Sequence, residues 1–533
     1  MRYQKSNLKI KYNHWFNQKE FKKDYYYLEN FFWNTCSELK KSLNEFHNLN
    51  LSTKTWSILL FPWLYEYTSV VYDRWLEVSN QKTKKEFQFK KKNLTLKESK
   101  NFFYLSQNKN WNNFLYYKIQ NFLFNKRYKE KNTLIKKKTF FFYKIIQFFF
   151  FISKIMSLFL IGKKNIYVDN NPFESKRGLK TFYNFIIIKL IKKTNRILNN
   201  FYDYDISERL KFKKVVKKTI RIKKNPFEKF FFENISFDLP CEILEGLKIH
   251  IKNRIKIPSC KNIYSTYSHF DNFNFKICFA ELIQNNCKIN VLEHGGGLPH
   301  KGMNFDFEEK IYSKKYVWFK KHNLNQKQYL HKTLKYEYYN IRHNSESINN
   351  KAIVITTLYP KYFSKMSFTR HNFNYFHGFL ILNKFINKLS KTHQNKIYLK
   401  AHPSSNKEYY LDPTLDLLKK NKHLKIINKK ENFKKVLKEN KLIICTSPET
   451  TFTLSILSGV PTILLLNMKN YSIHPKVKKI FKDLIKVKIL FIDPNKAAKH
   501  FESVIDDPEI WYNSRDVKEV RKIFLKNAFN VAL

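Results

Sequence analysis

Val291 to Gly302 reads V-L-E-H-G-G-G-L-P-H-K-G, and the organisation of the chain follows from it. The protein has nine glycines in 533 residues, and four of them fall in these twelve positions. Glycine reaches positive φ and lets a ligand or another backbone approach closely, at an entropic cost that a glycine-poor chain does not incur idly. Lys288 to Leu292 in front reads as a short buried strand. A strand, a histidine and then a glycine loop is the order in which α/β enzymes present a site.

Upstream of the loop, Asn262 to Tyr267 reads as a second strand and Phe273 to Asn285 as the helix between the two, a β-α-β unit. L-P-C-E-I-L-E-G-L, residues 239 to 247, reads as a proline-started helix. Downstream, Phe305 to Phe319 gives a polar turn and a strand. The charged segment Lys320 to Asn350 then reads as a linker. Beyond it, the short apolar runs Ala352 to Thr357, Lys396 to Ala401, Leu424 to Ile427, Leu442 to Cys445 and Thr462 to Leu466 alternate with helical patterns at Tyr375 to Leu389, Asn432 to Glu439 and Thr450 to Leu457. A strand at Ile489 to Ile492 precedes helices at Lys496 to Ile505 and Ser514 to Ala528. Such alternation implies an α/β fold with parallel sheets covered on both faces. Two facing Rossmann-like domains with a helical N-terminal extension are the simplest architecture. The expected divisions are 1–235 (helical, basic, contributing to the first domain), 236–345, 346–495 and 496–533.

Within the N-terminal region, S-T-K-T-W-S-I-L-L-F-P-W-L-Y-E-Y-T-S-V-V-Y-D-R-W-L-E-V (Ser52 to Val78) carries helical apolar spacing after Pro62, as a core helix would. Tyr202 to Lys224 is lysine-rich, with apolar positions too sparse to assign.

Lys plus Arg number 100 against 43 Asp plus Glu, a formal charge of +57. That field attracts polyanions, anionic lipid surfaces and phosphate-bearing substrates. The joint enrichment of Lys, Asn, Ile, Phe and Tyr is also what a genome rich in A and T produces. No recognised nucleic-acid module accompanies the charge, so no specific nucleic-acid partner is expected. The six cysteines show no metal spacing and read as reduced thiols. The N-terminus lacks the apolar core of a secretion signal. Phe140 to Ile161 is the best membrane candidate, but Lys144, Gln147 and Lys154 interrupt it, which favours a buried or surface-lying helix over a span.

Three constellations carry chemistry. In the first, Gly295, Gly296 and Gly297 expose N–H groups able to hold a phosphate or oxyanion, beside Glu293 or His294 as a base. The second is Lys400 and His402 at a strand end, where Pro403 turns the chain away from the sheet. The third is C-T-S-P-E-T-T, Cys445 to Thr451. There Ser447 suits an N-cap, Pro448 the first helical position and Glu449 the first turn, and Thr450 and Thr451 complete a diphosphate site. No D-x-D motif sits at a strand end, so no cofactor is expected and metal independence is.

Together these constellations resemble the GT-B glycosyltransferases, in which a nucleotide-sugar lies between two domains and the C-terminal sheet holds the nucleotide. More closely, the chain is similar to a bacterial family of transferases linked to surface-carbohydrate and O-antigen synthesis. The likeness lies in T-W-S-I-L-L-F-P-W-L, Y-D-R-W, L-P-C-E-I-L-E, H-G-G-G, the Thr450-Thr451 helix with Pro461, and D-P-E-I-W-Y-N-S-R-D-V-K-E-V-R-K-I-F, spread in order over nearly the whole chain. The chain departs from the family pattern at Glu293, Leu298, Pro299 and Leu454. The resemblance implies a transferase that takes a nucleotide-activated sugar and a glycan or lipid-linked acceptor. It would be cytoplasmic, with peripheral contact at the anionic inner face of the inner membrane. Transfer of a polyol phosphate from a CDP-linked donor, or a non-catalytic basic scaffold, are the alternatives.

Overall fold

Apolar runs of four to seven residues that are buried on both faces have one economical solution, a parallel sheet sandwiched by helices, and the chain builds two. The computed structural model describes residues 18–80, 86–90, 94–124, 165–169, 193–220, 225–254, 257, 260–293, 295–296, 307–319, 328–330, 338–339, 341, 348–367, 374–466 and 477–528. Phe140 to Ile161 falls outside these residues. No helix among the described residues is long and apolar enough to cross a membrane.

The first sheet holds β1 (Asn165–Tyr167), β2 (Asn262–Ser265), β3 (Lys288–Leu292), β4 (Lys314–Val317) and β5 (Gln328–Leu330), side by side in chain order and all parallel. The second runs in the order β10-β8-β6-β11-β12-β13, again all parallel. Its members are β6 (Asn349–Ile355), β8 (Ile397–Lys400), β10 (Lys425–Ile426), β11 (Asn440–Cys445), β12 (Thr462–Leu465) and β13 (Leu490–Phe491). A two-stranded antiparallel pair, β7 (Tyr359–Pro360) with β9 (Tyr410–Leu411), stands apart.

The segment from Lys320 to Asn350 is therefore more than a linker. Gln328–Leu330 completes the first sheet and Asn349 already begins β6. Tyr202 to Lys224 contains the helix Ile206–Thr219, whose N-terminus Asp205 caps by accepting from the Ser207 amide at 2.8 Å. Its few apolar residues suffice because Phe212 and Val216, four apart, are both buried.

Of the N-terminal helices Gln18–His47, Thr53–Leu60 and Trp63–Ser79, the second packs on the Phe273–Gln284 helix of the first sheet, and the first packs on both of the others. Pro62 separates the second from the third. Phe61 stacks on Phe307 with ring centroids 3.8 Å apart, and Gln284 donates to Thr55 at 2.9 Å.

Residues exchanged between the two halves hold them together. Trp318 and Phe319 follow β4 of the first sheet, yet belong to the apolar core around the second. Phe319 meets Phe524 at 5.5 Å, and Phe524 meets Phe452 at 5.7 Å. In return, Phe363 and Met366 leave the second half for the first core. There Tyr65 donates to the Met366 carbonyl at 2.7 Å, and buried Arg74, paired with Asp73, donates to the Phe363 carbonyl at 3.1 Å. Trp318 is fully buried, and a Cβ placed on Gly296 would lie 2.4 Å from its Cβ. Trp318→Ala should lower the unfolding free energy by about 3–5 kcal/mol, read by chemical denaturation. Gly296→Ala should destabilise the wild type and remain destabilising in that background, because Trp318→Ala keeps the Cβ that the added methyl would meet.

Candidate active site

The order of the second sheet fixes where its ligand site falls. From β6 the chain steps outward to β8 and β10; it then returns to β11 on the other side of β6 and steps to β12 and β13. The β6/β11 boundary is the switch point, and in open parallel sheets ligands bind outside the carboxyl ends of the strands there. Thr356 and Thr357 follow β6, and Thr446 and Ser447 follow β11. Thr357 and Thr446 face each other across the switch point with hydroxyl oxygens 3.5 Å apart, and Thr446 donates to the Ile355 carbonyl at 3.1 Å.

The helix after β11 spans Thr450–Ser458 and ends at Gly459, whose φ of 78° needs a residue without a side chain. Its start corrects the sequence reading. Pro448 lies in a turn, Glu449 is the N-cap, and the Ser447 side chain does no capping. Among the described residues no side chain caps this helix. The first-turn N–H groups thus keep their capacity for an anion, with the helix dipole behind them. The Ser447 hydroxyl is 3% exposed and has no hydrogen-bond partner among the described residues. A buried polar atom left unsatisfied is uncommon, and here it sits at the switch point.

The glycine loop arrives from the opposite half. A Cβ on Gly295 would lie 2.4 Å from the Thr450 Oγ1, so only glycine lets the loop approach the helix so closely. Gly296 sits against Trp318 in the same way. His294 and Gly297 lie outside the described residues. Lys400 and His402 stand at the end of β8, with β6 between them and β11. Lys400 is buried and donates to the Lys429 carbonyl at 3.1 Å, toward β10, and burial lowers the affinity of its ammonium for the proton. His402 is exposed, and its Nδ1 accepts from the Ser404 amide at 3.1 Å. Of the expected site residues, Gly295 and Thr450 are the pair brought into contact across the halves. Thr356, Thr357 and Thr446 were not legible beforehand, since single threonines after apolar runs carry no signal until the strand order is known.

Glu293 follows β3 and accepts from the Trp318 amide at 2.8 Å. Burial pushes its carboxyl up to about 7, with Lys315 and the Trp318 amide opposing and Glu308 and Glu309 adding to the rise. Lys315 bonds Glu308 at 2.9 Å, and Glu308 also meets His269 Nε2 at 3.0 Å. Burial would raise Glu308, but Lys315 and His269 outweigh it and hold the carboxyl below the ordinary range. His269 Nδ1 meets the Ser265 hydroxyl at 3.0 Å, and Ser265 donates to Asp169 at 3.2 Å. A polar chain therefore runs from Asp169 through Ser265, His269 and Glu308 to Lys315, whose charge also acts on Glu293. Among the described residues no group of three or more His, Cys, Asp or Glu side chains could hold a metal ion.

A model of the LIC12162 family, described as LIC12162 family transferase, matches residues 1–532. No curated protein matches the chain.

With its folded value above the ordinary one, Glu293 keeps its proton in the native state after the unfolded chain has lost it. Stability should then fall as pH rises from about 4.5 to about 7 and level off above. Glu293→Gln should remove its share of that decline, roughly 3 kcal/mol at most between the two ends of the window, leaving the share of Glu66, which burial raises in the same way. Thermal or urea unfolding of both proteins at pH 5 and pH 8 measures it.

Proposed function

Since the chain belongs to the LIC12162 transferase family, we propose that it is a glycosyltransferase. It moves a sugar from a nucleotide-sugar to a glycan or lipid-linked acceptor of surface-carbohydrate assembly. The observation that carries the reading is the meeting of Gly295 with Thr450 at the switch point of a six-stranded parallel sheet. An uncapped helix start, a buried Ser447 hydroxyl and a glycine loop that approaches the helix closely together suit the diphosphate of such a donor.

In this reading the two sheets form facing Rossmann-like domains of GT-B type, with the nucleotide on the C-terminal one. Thr450, Thr451 and Ser447 donate to the phosphates. Gly295, Gly296 and Gly297 close over them, and His402 and Lys400 add positive charge from β8. The Glu449 carboxylate suits hydroxyls better than phosphate, which assigns it to the ribose. Glu293 or His294 takes the proton of the attacking hydroxyl. As that oxygen bonds to the sugar's anomeric carbon, the bond to the nucleotide oxygen breaks, and the Thr450 helix stabilises the charge that develops on the leaving phosphate. The net charge of +57 supports peripheral association with an anionic membrane carrying the acceptor.

A thermal-shift screen against UDP, GDP, CDP, CMP and their sugar conjugates, with CDP-glycerol and CDP-ribitol alongside, tests the assignment. The matching nucleotide should raise apparent stability by about 2.7 kcal/mol at a hundredfold excess over its dissociation constant. Thr450→Ala and Gly295→Val should abolish the shift. Unchanged shifts in both folded variants would sink the site, and turnover of CDP-polyols alone would replace the sugar donor.

A further inference from the structure

A cleft of about 720 Å³ lies between the N-terminal part of the chain and the second half, and the donor site does not use it. One wall is the segment 86–90, laid on the helix Lys109–Leu123. Asn110 donates to the Lys90 carbonyl at 2.6 Å and accepts from the Lys90 amide at 2.5 Å, while Asn113 donates to the Gln88 carbonyl at 2.7 Å. Phe89 packs on Phe114 and Tyr117, with ring centroids 5.2 and 5.1 Å away.

The other wall is Lys361 with Glu408 and Tyr409. The Lys361 amide donates to the Tyr409 carbonyl at 3.0 Å beside the β7–β9 pair, and the Tyr409 ring meets Tyr104 edge-on at 4.9 Å. Gln107 lines the cleft, is 1% exposed, and accepts from the Tyr362 amide at 2.6 Å, which braces one wall against the other. The gap is therefore held open by hydrogen bonds on both sides and across its base.

Its place relates it to the donor site. β6 and β8 are adjacent and parallel, and the connections that leave their carboxyl ends supply Lys361 and Tyr409. The buried Asp412 carboxylate ties those connections together, accepting from Ser405 at 2.5 Å and from Thr356 at 3.4 Å. Lys361 comes four residues after Thr357 of the switch point, and four residues span about 14 Å at most. A ligand in the cleft can thus extend toward the donor.

The lining decides what fits. Each wall carries both signs, Glu86 with Lys90 on one and Glu408 with Lys361 on the other, so a polyanion and a polycation each meet like charge on either side. Ammonium, carboxylate and the exposed Gln88 carboxamide together donate to and accept from hydroxyls. Half-buried Phe89 and Tyr409, one on each wall, add aromatic surface for the C–H faces of sugar rings. The volume lies within the range of about 300–1,000 Å³ that ligand clefts occupy, and it exceeds a single sugar ring.

We propose that this cleft binds a neutral oligosaccharide, the part of the acceptor chain that leads away from the sugar being extended. The role rests on the glycosyl-transfer reading; the ligand class rests on the lining alone.

Saturation-transfer NMR on the full chain tests the proposal, with glucose and N-acetylglucosamine, the neutral maltotetraose, cellotetraose and chitotetraose, a heparin tetrasaccharide, and spermine. A neutral tetrasaccharide should bind about tenfold or more tightly than its monosaccharide. Tyr409→Ala and Gln88→Ala should each weaken that binding, Tyr409→Ala by about tenfold, as truncation of a buried aromatic contact does. Tyr409→Phe should retain most of it, and nucleotide thermal shifts should be unchanged in all three variants. If no neutral tetrasaccharide binds the wild type, if only heparin or spermine binds, or if Tyr409→Ala and Gln88→Ala both bind tetrasaccharide as the wild type does, the proposal is wrong. Tetrasaccharide binding that these variants weaken, in a protein that no nucleotide stabilises, would uphold the cleft and overturn the donor reading alone.

Discussion

The packing of Trp318 beneath Gly296 is the constraint on which the rest depends. β4 belongs to the first sheet, but the two aromatic residues that follow it are buried in the core of the second. Burying a side chain of this size removes a large apolar area from water, and it can do so here only if the two halves meet in one orientation. The glycine loop lies directly over that anchor. Its position relative to the Thr450 helix is set by packing through Trp318, Phe319, Phe524 and Phe452. The return exchange through Phe363 and Met366 fixes the opposite side of the junction.

That geometry sorts the charges by task. The edge of the second sheet presents hydroxyls and backbone N–H groups, a setting for phosphate, with the buried Asp412 carboxylate already accepting from Thr356, Ser405 and the Thr414 amide. The edge of the first sheet presents carboxylates held at different protonation levels, with Glu308 pinned ionised by Lys315 and His269 while Glu293 titrates near neutrality. Environments that pull neighbouring carboxylates apart in this way are how a single fold supplies both a fixed charge and a proton acceptor.

Much of the framework was legible before any coordinates. Runs such as Leu442 to Cys445 and Thr462 to Leu466 are too short for helices and too apolar for loops, and each became a strand within a residue or two. Gly295 and Gly296 stood out because glycine is scarce elsewhere, and the reason for both proved to be a close approach, to Thr450 and to Trp318. What could not be read was what depends on pairing between distant segments. The strand order that makes Thr357 and Thr446 neighbours leaves no local trace. β5 was hidden in a charged segment because an edge strand needs few apolar residues. Ser447 reads as a cap because Ser-Pro-Glu has the composition of a helix start; two turn residues intervene instead, leaving the hydroxyl buried and the N-cap without a side-chain hydrogen bond.

The central claim is that one nucleotide is held jointly by the glycine loop of one half and the Thr450 helix of the other. Hydrogen exchange read by mass spectrometry, with and without the stabilising nucleotide, tests it most directly. The account predicts protection of the backbone amides around Gly295–Gly296 and Thr450–Thr453 together, with the same dependence on nucleotide concentration. Protection confined to one of the two segments, or appearing elsewhere while both exchange as in the free protein, would contradict it.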